Sequence, residues 1–177
     1  MVMGMEFYET LERRHSVRSF QDKDVSKDKL DRILKAVISC PTAGNLQAYR
    51  IKVVRDAETR AALSKVALGQ RSLTDAPVVL VFTACHSDSS KYGKRGKELY
   101  SVQDATIATT FAHLAATAEG LGSCWIGAFD PSGVKKVLDL PEDQQPVAML
   151  PIGYAAKETG HTARRPMEET VTFDDGS

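Results

Sequence analysis

Three arginines crowd one short stretch of this 177-residue chain, Arg13-Arg14-His15-Ser16-Val17-Arg18-Ser19-Phe20. In an extended segment side chains alternate, so Arg14, Ser16 and Arg18 project to one side. Two guanidiniums around a hydroxyl make a phosphate clamp, because each offers fork-shaped, charge-assisted donors. The competing reading is a solvated basic stretch. A second basic pair, Arg164-Arg165-Pro166, stands near the C-terminus and offers the same chemistry. Two other segments suit a flat ligand. Pro41-Thr42-Ala43-Gly44-Asn45-Leu46-Gln47 is built from small residues that permit close backbone approach. The amides of Asn45 and Gln47 supply donors and acceptors there, although an ordinary turn has the same composition. Gly120-Leu121-Gly122-Ser123-Cys124-Trp125-Ile126-Gly127-Ala128-Phe129 leaves the backbone N–H groups of Gly127 and Ala128 sterically open. Trp125, the single tryptophan, is expected in the core because of the area it buries.

Composition limits what such segments can serve. Lys plus Arg number 23 and Asp plus Glu number 23, so the formal charge is zero. A neutral chain has no global pull toward nucleic acid or acidic membranes, and neither partner is expected. The apolar fraction is 42% and the charged fraction 26%, which suits a globular chain rather than a disordered one. The length suits one domain with a substantial core, spanning residues 1–177. Cys40, Cys85 and Cys124 are odd in number, far apart and form no CxxC. They read as buried, reduced thiols, not as a disulfide framework or a zinc site. No run approaches the roughly 20 apolar residues of a membrane helix. Met1–Glu6 shows no charged and apolar leader pattern, so a cytoplasmic location is expected.

Certain elements must position these residues. Met5–Arg14 reads as a short helix with Phe7, Leu11 and Tyr8 on one face. Ser26 is an N-cap with Lys29 at N3, and Leu30, Ile33, Leu34, Val37 and Ile38 recur at helical spacing until Pro41. Arg50–Val54 reads as a strand and Ala57–Leu68 as a helix. Val78–Ala84 is a nearly continuous apolar run, as in a strand buried on both faces. Ser87–Gly96 is polar and basic, a mobile loop and a candidate lid. Leu99–Glu119 is the longest helix and is apolar nearly all round. That is more apolar surface than one small domain hides, which points to a second copy. Gly120 supplies a left-handed cap. Ser123–Ile126 reads as a strand, Pro131–Leu138 as a helix and Gln145–Tyr154 as the last strand. The aperiodic tail, residues 155–177, stays ordered only if it docks on something. The fold class is α+β, with a mixed, mainly antiparallel sheet of four or five strands flanked by helices.

Taken in order, these segments resemble the FMN-dependent nitroreductase-like flavoproteins in their short form. Arg14-His15-Ser16-Val17-Arg18-Ser19-Phe20 is similar to the family's Arg-x-Ser-x-Arg/Lys-x-Phe phosphate segment. Pro41-Thr42-Ala43-Gly44-Asn45-Leu46-Gln47 is similar to its Pro-Ser-x-x-Asn-x-Gln loop. Gly120-Leu121-Gly122-Ser123-Cys124-Trp125-Ile126-Gly127 is similar to its Gly-Leu-Gly-x-x-Trp-Ile-Gly segment. Ile152-Gly153-Tyr154 and Arg164-Arg165-Pro166 are similar to its ending. The resemblance spans about Phe7 to Phe173. It implies an intertwined homodimer with FMN in clefts between subunits and residues 155–177 reaching over the partner.

Carried over residue by residue, the resemblance gives Arg14, Ser16 and Arg18 the FMN phosphate and ribityl chain, with His15 contributing backbone. Arg164 or Arg165 closes on the same phosphate. Pro41, Thr42 and Ala43 line the isoalloxazine, and Asn45 and Gln47 lie near it from the partner chain. The backbone amides of Gly127 and Ala128 approach N5 and O4, and Ile126 beside them is counted among the cofactor-binding residues. Arg18 is the candidate cation near N1 and O2, where positive charge favours the reduced flavin. NADH or NADPH then delivers hydride to N5, and a small-molecule acceptor such as a nitroaromatic or quinone takes it from the same site by a ping-pong course. No side chain is required as acid or base. Gln47-Ala48-Tyr49 departs from the family's Gln-Pro-Trp, and Gly153-Tyr154-Ala155 from its Gly-Tyr-Pro. Both departures touch the substrate side. A flavin-storage protein, an FMN-consuming benzimidazole synthase and a reductive dehalogenase remain alternatives.

Overall fold

The computed structural model describes residues 6–157, 160 and 162–174. Met5, the start of the expected first helix, lies outside them. So do residues 158, 159, 161 and 175–177 of the expected tail.

Seven helices and four strands are described. The helices are α1 (Phe7–Arg13), α2 (Lys27–Ile38), α3 (Ala57–Val66), α4 (Ser72–Asp75), α5 (Gly93–Arg95), α6 (Ser101–Ala118) and α7 (Pro131–Leu138). The strands are β1 (Tyr49–Val54), β2 (Val78–Cys85), β3 (Gly122–Ser123) and β4 (Gln144–Gly153). The sheet order is β1-β2-β4-β3 and every strand pair is antiparallel. The mixed character enters at one edge only, where Ser16 bridges Ser123 in parallel.

β2 is buried along its whole length, as its nearly continuous apolar run requires. Val78, Leu80 and Phe82 pack with α2 and α6 on one face. Val79 and Val81 pack with Leu63 of α3 and Val134 of α7 on the other. Sequence signals set the helix ends. The Ser26 hydroxyl accepts from the Lys29 N–H, and the Asp130 carboxylate accepts from Ser132 and Gly133 ahead of Pro131. Gly120, at φ +72°, closes α6: its N–H reaches Thr117 O and the Leu121 N–H reaches Ala116 O.

Three expectations change. The third strand is only Gly122–Ser123, after which the chain touches β4 once more through an Ile126–Met149 bridge. Residues 87–100 are not a loose loop. They form tight helical turns, with a wide-pitched turn over Gly96–Tyr100 that runs into α6. The Ser87 N–H and hydroxyl hold Asp143, and Arg50 pairs with Asp88 at 2.9 Å, which pins that segment. Trp125 is 36% exposed rather than core. The alternation that buries Cys124 and Ile126 turns it outward, beside Gly127.

Gly122 decides how the arginine segment meets the sheet. A Cβ there would lie 2.6 Å from a Val17 methyl. Val17 is buried and its N–H donates to Ser123 O at 2.9 Å. Gly122→Ala is therefore expected to cost about 1–3 kcal/mol through overpacking. Urea unfolding measures it. A loss under about 0.5 kcal/mol would show that Val17 yields without strain.

Candidate functional site

The phosphate-type segment leaves α1 at Arg14, which is extended at φ −64°, ψ 116°. Burying Val17 against β3 turns its neighbours the other way. Ser16 and Arg14 are half-buried and Arg18 is exposed, as alternation requires. Arg14 Nη1 lies 3.1 Å from His113 Nε2, and His113 Nδ1 is at hydrogen-bond distance from Ser123 Oγ. His113 is buried in α6. Burial, then the charges of Arg14 and His15, push its pKa down to about 4, so the ring is neutral at pH 7.

The same edge of the sheet continues to Gly127 and Ala128, both exposed. Ile126 commits its own N–H and C=O to Met149, at 2.9 and 3.0 Å. Among the described residues, the N–H groups of Gly127 and Ala128 donate to no protein acceptor. They stand open to a ligand.

The Pro41–Gln47 segment is a strained turn. Gly44, Asn45 and Gln47 all have positive φ, at 56°, 55° and 51°. Thr42 Oγ1 accepts the Gln47 N–H at 3.1 Å, and the Asn45 and Gln47 side chains stay exposed. Asp104 of α6, 1% exposed, ties down both ends. It accepts the Ala43 N–H at 2.9 Å and the Ala48 N–H at 3.2 Å. Tyr92 and Lys91 close over Gly44, where any Cβ would collide with the phenol oxygen.

Arg164 and Arg165 are exposed, and Arg164 donates to Thr162 O at 3.0 Å. The start of the tail docks on the arginine segment, where Ala156 N–H donates to Ser19 O at 3.0 Å and Ala155 bridges Phe20. Beyond it Met167, Val171 and Phe173 are exposed.

Asp104 and His113 were not singled out in the sequence. Their signal is nevertheless there: each is a buried polar residue flanking, on opposite sides, the narrow stripe of Ala105, Ala108, Ala112 and Ala116. Nine residues apart, they lie about 180° around α6 and about 13 Å along it. One chain's own turn and its own Arg14 thus flank opposite sides of a helix. On the face away from the sheet α6 shows Ile107, Phe111 and Leu114 only partly covered. Phe111 and Leu114 join Phe7 and Ala36 around an apolar groove of about 480 Å³. The larger hollow, about 580 Å³ beside His86 and Lys135, is lined by none of these site residues. Among the described residues no cluster of three or more His, Cys, Asp or Glu could hold a metal ion. Among the described residues no helix is long and apolar enough to cross a membrane.

A sheet with helices on both faces, edged by an arginine segment and open backbone donors, defines the class. The family model described as Nitroreductase family matches residues 11–71 and 64–154. The chain is 30% identical over 189 residues to a Thermus thermophilus NADH dehydrogenase, covering 91% of this chain and 92% of that one. It is 33% identical over 177 residues to a Bacillus subtilis FMN reductase (NAD(P)H), covering 92% and 71%. The solved oxidoreductase YcnD of Bacillus subtilis superposes with a TM-score of 0.88 at 29% identity, covering 96% of this chain and 75% of that one. The chain belongs to the nitroreductase family.

Proposed function

We propose that this chain is an FMN-dependent NAD(P)H oxidoreductase acting as a homodimer on small acceptors of the quinone or nitroaromatic class. When bound, FMN supplies the hydride chemistry, taking two electrons from NADH or NADPH and giving them to the acceptor. The chain's own residues do the rest. Arg14, Ser16 and Arg18 face one way and hold the phosphate end, with His15 lending backbone. Ile126 fixes the short edge on which Gly127 and Ala128 aim their free N–H groups at the ring. Pro41, Thr42 and Ala43 give the ring a flat, low-profile floor, and Asn45 and Gln47 border it. Arg164 or Arg165 adds a second guanidinium. Arg18 is the cation best exposed to favour the reduced ring.

The observation that carries the dimeric part is the opposed placement of Asp104 and His113 on α6. A ligand gripped by Arg14 on one side of this helix cannot rest on the turn held by Asp104 on the other side of the same helix. A second copy brings its turn to the first copy's arginines. The partly covered α6 face and the exposed apolar tail residues give that copy its seat.

The test is an absorbance spectrum of the purified protein, followed by anaerobic NADH and then NADPH. Flavin bands that bleach with either nucleotide are expected. A colourless protein that takes up no added FMN overturns the reading. A yellow protein that neither nucleotide bleaches keeps the cofactor and reassigns the protein to flavin storage.

A further inference from the structure

We infer that His113 is a positioning residue for the flavin phosphate, holding the Arg14 guanidinium in place before the ligand arrives. The inference rests on the flavin reading above and adds to it a group that does not touch the ligand. The geometry dictates the roles. Arg has donors only, so His113 Nε2 must be the acceptor of the 3.1 Å bond from Arg14. The ring's proton is then on Nδ1 and donates to Ser123 Oγ. Ser123 is fixed in turn: it pairs with Ile152 of β4, and its carbonyl receives the Val17 N–H at 2.9 Å. One residue of β3 therefore sets both the backbone of the arginine segment, through Val17, and its guanidinium, through His113. Arg14 spends one donor on the imidazole and keeps the others for an anion. A long side chain ordered in advance gives up less freedom on binding, which strengthens affinity without a new contact.

The test titrates FMN and riboflavin separately into the flavin-stripped, full-length protein. Riboflavin lacks the phosphate, so the ratio of the two dissociation constants isolates the phosphate grip. Arg14→Ala should lower the FMN preference about 30- to 150-fold, as loss of a charge-assisted contact does. His113→Leu should lower it about 10-fold, the upper range for re-ordering one side chain, with riboflavin affinity within about 2-fold. His113→Gln, whose amide oxygen can stand near the Nε2 position, should keep the preference within about 3-fold.

If Arg14→Ala lowers the preference and His113→Leu leaves it unchanged, the inference fails and the flavin reading stands. If His113→Leu weakens both ligands equally, His113 is merely structural and the inference fails. If Arg14→Ala changes nothing, the phosphate assignment falls and takes the inference with it. If the wild type binds neither ligand, the flavin reading itself falls. Should His113→Leu not fold, Ser123→Ala carries the test. Loss of the Nδ1 acceptor should lower the preference about 3-fold, and an unchanged ratio overturns the inference.

Discussion

Asp104→Asn is expected to lower the unfolding free energy by about 3 kcal/mol and the melting temperature by roughly 6–12 °C. The carboxylate is 1% exposed and accepts two backbone N–H groups, from Ala43 and Ala48. Asparagine has the same shape but one acceptor. Its NH2 faces whichever amide the oxygen does not reach, so a donor meets a donor and a buried N–H is orphaned. An unmatched buried group costs about 1–3 kcal/mol, more where the lost partner was charged. Set against this is relief from burying a carboxylate that, among the described residues, forms no ion pair, a real gain that the orphaned donor offsets.

The turn between the two anchors decides where the damage shows. Gly44, Asn45 and Gln47 hold positive φ. Glycine does so freely and asparagine at modest cost, but the Gln47 conformation is strained by about 1 kcal/mol or more. Such a conformation persists only while both ends are held. Amide exchange at residues 43–48 should therefore accelerate in the Asn variant more than anywhere in β2. A melting temperature within about 1 °C of wild type would show that the carboxylate is not the anchor.

Much of this architecture is legible in the residues, for identifiable reasons. The Ser26 and Gly120 caps and the Pro131 helix start are local devices, so they can be read without knowing what packs on them. The buried β2 follows from eight consecutive residues with no surface position among them. The three cysteines read as buried free thiols, and each is one. What sequence did not reveal depends on distant partners. The tight turns of residues 87–100 are held by Asp143 and Arg50, 56 and 38 positions from Ser87 and Asp88. Trp125 is outward because a two-residue strand and a later bridge fix the alternation there. Asp104 and His113 looked like breaks in an apolar helix. Their partners are a backbone turn some sixty residues upstream and an arginine in the first fifteen. The candidate site was readable as separate segments. That Asp104 and His113 place them on opposite sides of α6 was not.

The pH dependence of stability isolates His113. Its ordinary pKa is 6.5, and burial with Arg14 and His15 nearby brings it to about 4 in the folded chain. Between those values the unfolded chain holds a proton that the folded chain does not. Acidification through that window therefore favours unfolding, by about 3 kcal/mol in total, and adds nothing further below it. The carboxylates act later. Glu119 is held down by its Arg32 hydrogen bond, Asp56 by Thr59 and Asp143 by Ser87, all below ordinary values of 4.5 or 3.8. Their contributions are complete above those ordinary values and fade only beneath them, so pH 6.5 to 4.5 belongs chiefly to the imidazole. Protonation there also turns Nε2 from acceptor to donor, setting Arg14 against a cation in a buried place. Urea midpoints at pH 7, 6, 5 and 4.5 should fall steadily for the wild type and stay nearly level for His113→Gln. Parallel curves for the two proteins would place the titrating group elsewhere. A separation that opens as pH falls ties the acid sensitivity of the fold to the ring that holds Arg14.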